Sequence, residues 1–204
     1  ANTCSFGNGF LRQFDTHEIK KLKNRLDKVM YFVAVLTDAL KKHGIKPVLV
    51  GGGALEFYTQ GSYMTADIDL VIEGREQAKR VLEEMGFQHA LGERYWYNEE
   101  LELSVEIPGD RLAGSMGHIV AVDVGDGLTG YVIGVEDLII DRLTAYKYWK
   151  SLSDGEWAVA VLSIHLNDVD FDYLKGRAEE EKIIDELEET INKAKNLQKR
   201  KRKK

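Results

Sequence analysis

A glycine triplet and an Asp-Ile-Asp triplet lie within one stretch of the chain, "VLVGGGALEFYTQGSYMTADIDLVI", which runs from Val48 to Ile72. The apolar "KPVLV" that leads into the glycines predicts a short buried strand, and the apolar "ALEFY" after them predicts a helix. "DIDLVI" alternates acidic and apolar residues and is rich in β-branched side chains, which predicts a second strand. A strand, a glycine turn, a helix and another strand together indicate a mixed α/β architecture.

The two aspartates of this stretch are expected to share one face of the second strand. Side chains alternate along a strand that rises about 3.3 Å per residue, so the Cα atoms of Asp67 and Asp69 lie roughly 6.6 Å apart, with Ile68 and Leu70 on the other face. Two ionised carboxylates at that separation repel by roughly 2 to 3 kcal/mol at an effective dielectric near 20. The pattern therefore predicts either a cation site, with a divalent metal as the obvious candidate, or a solvated strand edge.

The glycines allow two interpretations as well. Backbone N–H groups at the start of a helix have no partner within the helix, and without side chains they can approach phosphate oxygens closely. Gly51, Gly52 and Gly53 therefore predict a phosphate-binding turn. They are equally compatible with a tight connection between a strand and a helix.

Further elements are expected on either side of this stretch. "DTHE" at Asp15 to Glu18 has the spacing of a capping box, and apolar residues continue at helical spacing as far as Leu40, which predicts one long packing helix. Arg75 to Met85 is amphipathic and is predicted to be a helix. "RYWYN" and "LELSVEI" are predicted to be strands, and Gly125-Asp126-Gly127 marks a hairpin between two more. The aromatic residues of "RYWYN", Tyr95, Trp96 and Tyr97, fit either packing or the stacking of a base.

From Val135 onward the pattern becomes helical in three successive segments. We therefore divide the chain into an α/β part over residues 1–134, a helical part over 135–192 and a basic end over 193–204. That end, "KAKNLQKRKRKK", holds eight Lys or Arg and no acid, so the formal net charge of −6 leaves about −14 for the other residues. We expect a solvated, disordered end, with RNA binding through its charges as the alternative.

Other features of the composition point to a cytoplasmic protein. The longest apolar run, Val29 to Leu36, is far shorter than the roughly 20 residues that a membrane-spanning helix needs, and no basic-then-apolar signal sequence is visible. Cys4 is the single cysteine, so no intramolecular disulfide can form, which fits a reducing compartment. We therefore expect no membrane association.

Taken together, "GGGAL" at Gly51 to Leu55 and "TADIDLV" at Thr65 to Val71 resemble the nucleotidyltransferase superfamily typified by DNA polymerase β and kanamycin nucleotidyltransferase. The resemblance is greatest to small bacterial and archaeal members, some of which are toxins of toxin–antitoxin pairs. It implies an α+β nucleotidyltransferase fold, with a mixed β-sheet flanked by helices and followed by a helical carboxy-terminal part.

The resemblance also implies a set of site residues. Such proteins place a third carboxylate on a later strand, and in "LELSVEI" Glu102, Ser104 and Glu106 are expected to share a face. Glu106 matches best because it stands between two apolar residues. Asp67, Asp69 and Glu106 are then the catalytic and metal-binding residues. The implied nucleotide-binding residues are Gly51, Gly52, Gly53, Thr65 and Lys147.

The expected activity is transfer of a nucleoside monophosphate from a nucleoside triphosphate to an acceptor hydroxyl, with two Mg²⁺ or Mn²⁺ ions and release of pyrophosphate. The acceptor is left open between a small molecule, a protein and RNA. Three features depart from the pattern. Many relatives have Gly-Ser, whose hydroxyl contacts phosphate, whereas this glycine triplet offers only backbone donors; Tyr63 stands where a basic residue is usual, and Trp157 where related toxins carry an acid. The alternatives are a catalytically degenerate nucleotide-binding or regulatory module and a toxin that modifies transfer RNA.

Overall fold

The computed structural model describes residues 16–89 and 94–201. Within these ranges the chain forms eight α-helices, seven strands and a 3₁₀ turn at Lys41–His43. The helices are α1 Thr16–Lys21, α2 Arg25–Leu40, α3 Gly51–Tyr58, α4 Arg75–Glu84, α5 Val135–Tyr148, α6 Leu152–Ile164, α7 Phe171–Glu180 and α8 Ile184–Lys201. The strands are β1 Val48–Leu49, β2 Asp67–Val71, β3 Gln88–His89, β4 Tyr95–Asn98, β5 Leu103–Gly109, β6 Val120–Gly125 and β7 Leu128–Val132.

The strands form one mixed sheet in the order β3-β4-β5-β2-β1-β7-β6. β2 pairs with β5 and β1 with β7 in parallel, whereas the other neighbours are antiparallel. The predicted hairpin is confirmed: Asp126 and Gly127 form the turn between β6 and β7, and both have positive φ, 55° and 72°. Asp-Gly is the pair that a two-residue turn of this kind favours.

The predicted long amino-terminal helix is wrong, because the described chain has two helices there. α1 ends at Lys21, and α2 begins after Asn24, whose side chain accepts a hydrogen bond of 3.2 Å from the backbone N–H of Asp27. An asparagine in extended conformation that satisfies a free N–H in this way starts a new helix. Asp15, the first residue of the predicted capping box, lies outside the described residues.

The basic end also differs from the prediction. Residues 193–201 continue α8 rather than forming a disordered end, and residues 202–204 lie outside the described part. Ala194 is fully buried, and the side chain of Gln198 donates a 3.0 Å hydrogen bond to the carbonyl of Ser163 on α6. Because one side of this segment packs on α6, its basic residues occupy the remaining surface of an amphipathic helix.

A single buried cluster contains residues of the sheet and of all four carboxy-terminal helices, for example Phe32, Ile68, Leu143, Leu162 and Leu187. Full burial of one such side chain contributes roughly 1.5 to 3 kcal/mol, so the cluster holds the two parts of the chain together. No helix among the described residues is long and apolar enough to cross a bilayer.

Asp137 adds a polar connection between these parts. Its carboxylate is fully buried and accepts hydrogen bonds from the backbone of Ser115 (2.9 Å), the hydroxyl of Tyr173 (3.0 Å) and Nε of Arg177 (3.3 Å). Burial, followed by the hydrogen bond to Asp137, raises the pKa of Tyr173 to about 12. The loop after β5 is thereby fixed to α5 and α7.

Candidate active site

The acidic residues predicted from the sequence lie on two adjacent parallel strands. In the register of β2 and β5, Asp69 is paired with Glu106, and Asp67 with Ser104. Paired residues on neighbouring strands project from the same face, and such strands lie about 4.8 Å apart. Ile68 is fully buried on the opposite face. Glu106 is therefore the direct neighbour of Asp69 on one half-exposed face of the sheet.

Glu102 does not share this face, so that expectation is wrong. β5 begins only at Leu103, and Glu102 lies in the preceding turn, where its backbone N–H bonds to the carbonyl of Glu99 at 3.3 Å and its φ is 51°. A non-glycine residue with a positive φ lies outside the β region, so Glu102 does not extend the strand. The side chain of Glu102 is exposed.

The glycine turn lies against the same carboxylates. The backbone N–H of Gly52 donates a hydrogen bond of 3.2 Å to Oδ2 of Asp69. Gly51 has a φ of +54°, and a Cβ there would overlap the same oxygen, so both its conformation and its surroundings require glycine. A Cβ on Gly52 would lie 2.9 Å from Oγ1 of Thr65. The start of α3, Asp69 and Thr65 thus meet at one point.

Gly53 is placed differently from the other two glycines. A Cβ at this position would lie 2.7 Å from Cδ1 of Leu49, on β1. Gly53 is buried, and so is Leu49. The absence of a side chain at Gly53 therefore permits the close packing of α3 on β1, and its predicted contact with phosphate stays a prediction.

The electrostatics of Asp69 reflect its crowded position. Burial raises the pKa of its carboxyl group above the usual value, and the negative charges of Glu106 and Asp67 raise it further. The hydrogen bond from Gly52 and the positive charge of Arg142 act in the opposite direction without cancelling the rise. Asp69 is therefore a carboxylate whose ionisation carries a cost that a bound cation would remove.

Arg142 was not recognised from the sequence. It lies on α5, where its guanidinium donates to Asp141 through Nε at 3.0 Å and to Asp154 of α6 through Nη1 at 2.7 Å. Burial opposes its charge, but the two carboxylates outweigh that effect and raise the pKa of Arg142. The one signal in the sequence is the pair Asp141-Arg142 within the mostly apolar run "LIIDRLTAY", since an arginine there could be buried only with acidic partners.

Lys147 is engaged elsewhere. Its ammonium group bonds to the carboxylate of Glu186 on α8 at 2.9 Å and to the carbonyl of Lys182 at 2.6 Å. The hydrogen bond to Glu186 raises the pKa of Lys147. Contact between Lys147 and a nucleotide stays a prediction, and it requires this ion pair to open.

The loop before β2 is fixed by a partly buried arginine. Arg25 donates from Nη2 to the carbonyl of Ala66 at 3.0 Å, and its Nε lies 3.6 Å from the carboxylate of Glu56, which is almost fully buried on α3. Ala66 stands between Thr65 and Asp67. Arg25 therefore ties the backbone between these two predicted site residues to α3.

Two of the departures from the expected pattern, Tyr63 and Trp157, contact each other. The rings of Tyr63 and Trp157 meet edge to face, with centroids 5.1 Å apart and an interplanar angle of 83°. Where the resemblance leads one to expect a basic and an acidic residue, this chain has an aromatic contact between α6 and the loop before β2. Such a contact is worth about 0.5 to 1.5 kcal/mol beyond the area that it buries.

The acidic side chains are adjacent but are not gathered around one point. In the part of the chain that the structure describes, no group of three or more His, Cys, Asp or Glu residues is arranged to hold a metal ion. One oxygen of Glu106 lies 3.8 Å from Nη1 of Arg94, whose side chain is 81% exposed. The side chain of Glu106 is only 18% exposed, so this long contact lies where the acidic face meets solvent.

Comparison with known proteins identifies the fold. No family model and no curated protein matches the sequence. Among solved structures, an antigenic nucleotidyltransferase-like protein from Paracoccidioides brasiliensis superposes with a TM-score of 0.55 at 14% identity, over 83% of this chain and 93% of that one. The chain has a nucleotidyltransferase fold. The predicted fold class is thus confirmed.

The antibiotic-resistance factor ANT(2'')-Ia is also similar in structure. Its solution structure matches with a TM-score of 0.48 at 15% identity, over 86% of this chain and 97% of that one.

Proposed function

We propose that this protein is a metal-dependent nucleotidyltransferase, which transfers a nucleoside monophosphate from a nucleoside triphosphate to an acceptor hydroxyl. The observation that supports this most is the hydrogen bond from Gly52 to Asp69 beside the Asp69–Glu106 register pair. It joins a helix start suited to phosphate with a pair of carboxylates suited to a metal ion. Fold alone does not determine activity, so the proposal rests on this site.

Asp67, Asp69 and Glu106 are the residues that would hold Mg²⁺ or Mn²⁺. Hard cations of this kind take oxygen ligands, and the raised pKa of Asp69 beside two further acids fits a site that is completed by positive charge. When bound, two such ions would activate the acceptor hydroxyl and neutralise charge on the phosphates.

The residues of the chain bind and orient the triphosphate. The N–H groups at the start of α3, at Gly51 to Gly53, would bind the phosphates, with that of Gly52 leaving Asp69 to do so, and the hydroxyl of Thr65 lies beside Gly52 as a further donor. Arg142 contributes positive charge, since its field reaches Asp69. Lys147 joins the triphosphate only when its pair with Glu186 opens.

Glu106 is the base on the acceptor side. The acceptor oxygen forms a bond to the α-phosphorus as the bond to the bridging oxygen breaks, and pyrophosphate leaves with the electron pair. The proton of the acceptor hydroxyl passes to Glu106. A base positioned in this way contributes about 100-fold to 10,000-fold in rate.

The second candidate is a nucleotide-binding module without turnover. It is favoured by the arrangement of the acidic residues, which are not gathered into a metal-binding group within the described ranges, and by the turn of Glu106 toward Arg94. Such a module would retain triphosphate affinity and lack transfer.

Binding of a non-hydrolysable triphosphate with Mg²⁺ tests the site directly. A ligand that binds only the folded state increases the free energy of unfolding by mass action, by about 2.7 kcal/mol when its concentration is 100 times its dissociation constant. The melting temperature rises accordingly. The wild-type protein is expected to show this rise, and Asp67→Asn combined with Asp69→Asn to lose it. Glu102→Gln, an acid-to-amide change outside the site, is the matched control and should keep the rise. A wild-type protein without any rise would contradict the proposed site.

A further inference from the structure

The face that carries the carboxylates continues sideways onto β4. β4 pairs with β5 so that Tyr95 lies opposite Glu106 and Tyr97 opposite Ser104. Glu106 and Ser104 are in turn paired with Asp69 and Asp67. Since directly paired residues project from the same face, the two tyrosines flank the acidic site in two parallel rows across the sheet.

Both tyrosines are open to solvent. Tyr95 is 37% and Tyr97 is 45% exposed, whereas Trp96 between them is only 5% exposed and packs on the opposite face. The alternation of exposed and buried residues therefore continues through β4. Two neighbouring aromatic side chains that stay exposed on a sheet offer a surface on which a flat ring can stack.

The spacing of the tyrosines leaves room for one flat ring between them. They stand two residues apart on one strand, so their Cα atoms are roughly 6.6 Å apart, and strand side chains project roughly perpendicular to the sheet. Two van der Waals contacts of about 3.5 Å amount to nearly the same distance. One planar ring can therefore lie between the two phenol rings.

An arginine beside this clamp can bind a small anionic group. Arg94 precedes β4, is 81% exposed in its side chain and lies within 3.8 Å of Glu106. The body of the protein is strongly acidic, which disfavours a long polyanion such as RNA. One exposed arginine beside an aromatic clamp matches a ligand with a single phosphate and a flat base.

We propose that Tyr95 and Tyr97 clamp the base of a free mononucleotide, which is the acceptor of the transfer reaction. Arg94 binds its phosphate, and a ribose hydroxyl is directed to Glu106, which lies about 5 Å from Tyr95 across the strand pair. This inference rests on the proposed function and names its acceptor class.

A suitable probe is the fluorescent analogue of adenosine monophosphate in which 2-aminopurine replaces adenine, because stacking on tyrosine quenches its fluorescence. The wild-type protein is expected to quench and bind it. Tyr97→Ala and Tyr95→Ala are each expected to weaken binding at least about five-fold, the lower end for loss of one base–aromatic stack. Tyr97→Phe, which keeps the ring, should bind within about two-fold of wild type. Tyr148→Ala removes another exposed tyrosine, on α5, and should change nothing.

The phosphate contact has its own readout. Arg94→Gln should weaken binding of the 2-aminopurine mononucleotide while leaving binding of the corresponding nucleoside unchanged. Equal affinity of wild type and Tyr97→Ala would overturn the clamp, as would the absence of quenching. A short single-stranded oligonucleotide that binds much more tightly than the mononucleotide would overturn the acceptor class.

Failure of this inference can be told from failure of the proposed function. The rise in melting temperature with Mg²⁺ and a non-hydrolysable triphosphate is measured in the same tyrosine variants and should be unaffected. A normal rise without probe binding refutes only the clamp. Probe binding by a protein that shows no rise refutes the transferase.

Discussion

Replacing Asp69 with asparagine is expected to stabilise the protein in the absence of ligands while abolishing its response to Mg²⁺ and triphosphate. Asparagine removes the negative charge that Asp69 carries beside Glu106 and Asp67. Its carbonyl oxygen can still accept the hydrogen bond that Gly52 donates to Asp69. The substitution thus isolates the cost of charge at this position.

The size of the effect follows from the register of β2 and β5. Charges on paired residues about 5 Å apart repel by about 0.8 kcal/mol at the dielectric of water and about 3 kcal/mol at an effective dielectric of 20. Asp69 is partly exposed and Arg142 offsets part of the repulsion, so a net gain of about 1 kcal/mol is expected. For a chain of 204 residues that corresponds to a rise in Tm of about 2 to 4 °C.

The gain should depend on pH. The pKa of Asp69 is raised in the folded protein, so its ionisation costs stability. That cost is absent below the ordinary carboxyl pKa of about 3.9 and grows as the pH rises through the raised value. The difference in Tm between Asp69→Asn and wild type should therefore be largest at neutral pH and should disappear near pH 4.

Thermal unfolding followed by circular dichroism across this pH range provides the measurement. Glu102→Gln serves as the control, since the same change of chemical group at an exposed turn should shift Tm by less than 1 °C. If Asp69→Asn lowers Tm at neutral pH, or raises it equally at every pH, repulsion at the acidic face is not the cause and the reasoning fails.

Three further predictions concern the site and the basic end of α8. Gly52→Val places a side chain against Thr65, where the phosphates are proposed to bind, so triphosphate affinity measured by calorimetry should fall at least about ten-fold; an unchanged affinity in a folded variant would show that the glycine serves only the turn. Glu106→Gln should lower turnover at least about 100-fold and leave triphosphate binding within two-fold, whereas Glu102→Gln should leave both unchanged; the reverse pattern would contradict the register of β5. Lys199→Gln with Arg200→Gln should reduce the salt dependence of any RNA binding by about 0.7 in logarithmic slope for each phosphate that the variant no longer neutralises, and an unchanged slope would make the helix end merely solvated.

Local signals were sufficient for much of the fold. The Asp126-Gly127 turn, the alternation around Asp67 and Asp69, and the glycines that connect β1 to α3 each act over a few residues, and the sequence pattern predicts them; the helix begins with these glycines rather than after them. The break at Asn24 was missed because apolar residues keep helical spacing across it, and the cap at Asn24 decides where α2 begins. Periodicity does not report such an interruption.

The assembled site depends on contacts that no local pattern contains. Alternation places Glu106 on a face, but only the pairing of β5 with β2 makes it the neighbour of Asp69. Arg142 is held by Asp154 from another helix, and Lys147 by Glu186 from a third. Helical spacing gives no means to choose between these two cations, because their partners are set by how α5, α6 and α8 pack.

Transfer of label from the α-phosphate of a nucleoside triphosphate tests the central claim most directly. Each of the four triphosphates is incubated with Mg²⁺ or Mn²⁺ and with separate pools of mononucleotides, RNA, proteins and metabolites, using wild type and the folded double variant Asp67→Asn with Asp69→Asn. The wild-type protein is expected to move label to one pool, with release of pyrophosphate, and the double variant to move none. A wild-type protein that transfers no label to any pool, or a double variant that transfers as much as wild type, would contradict the assignment of this site as a nucleotidyltransferase centre.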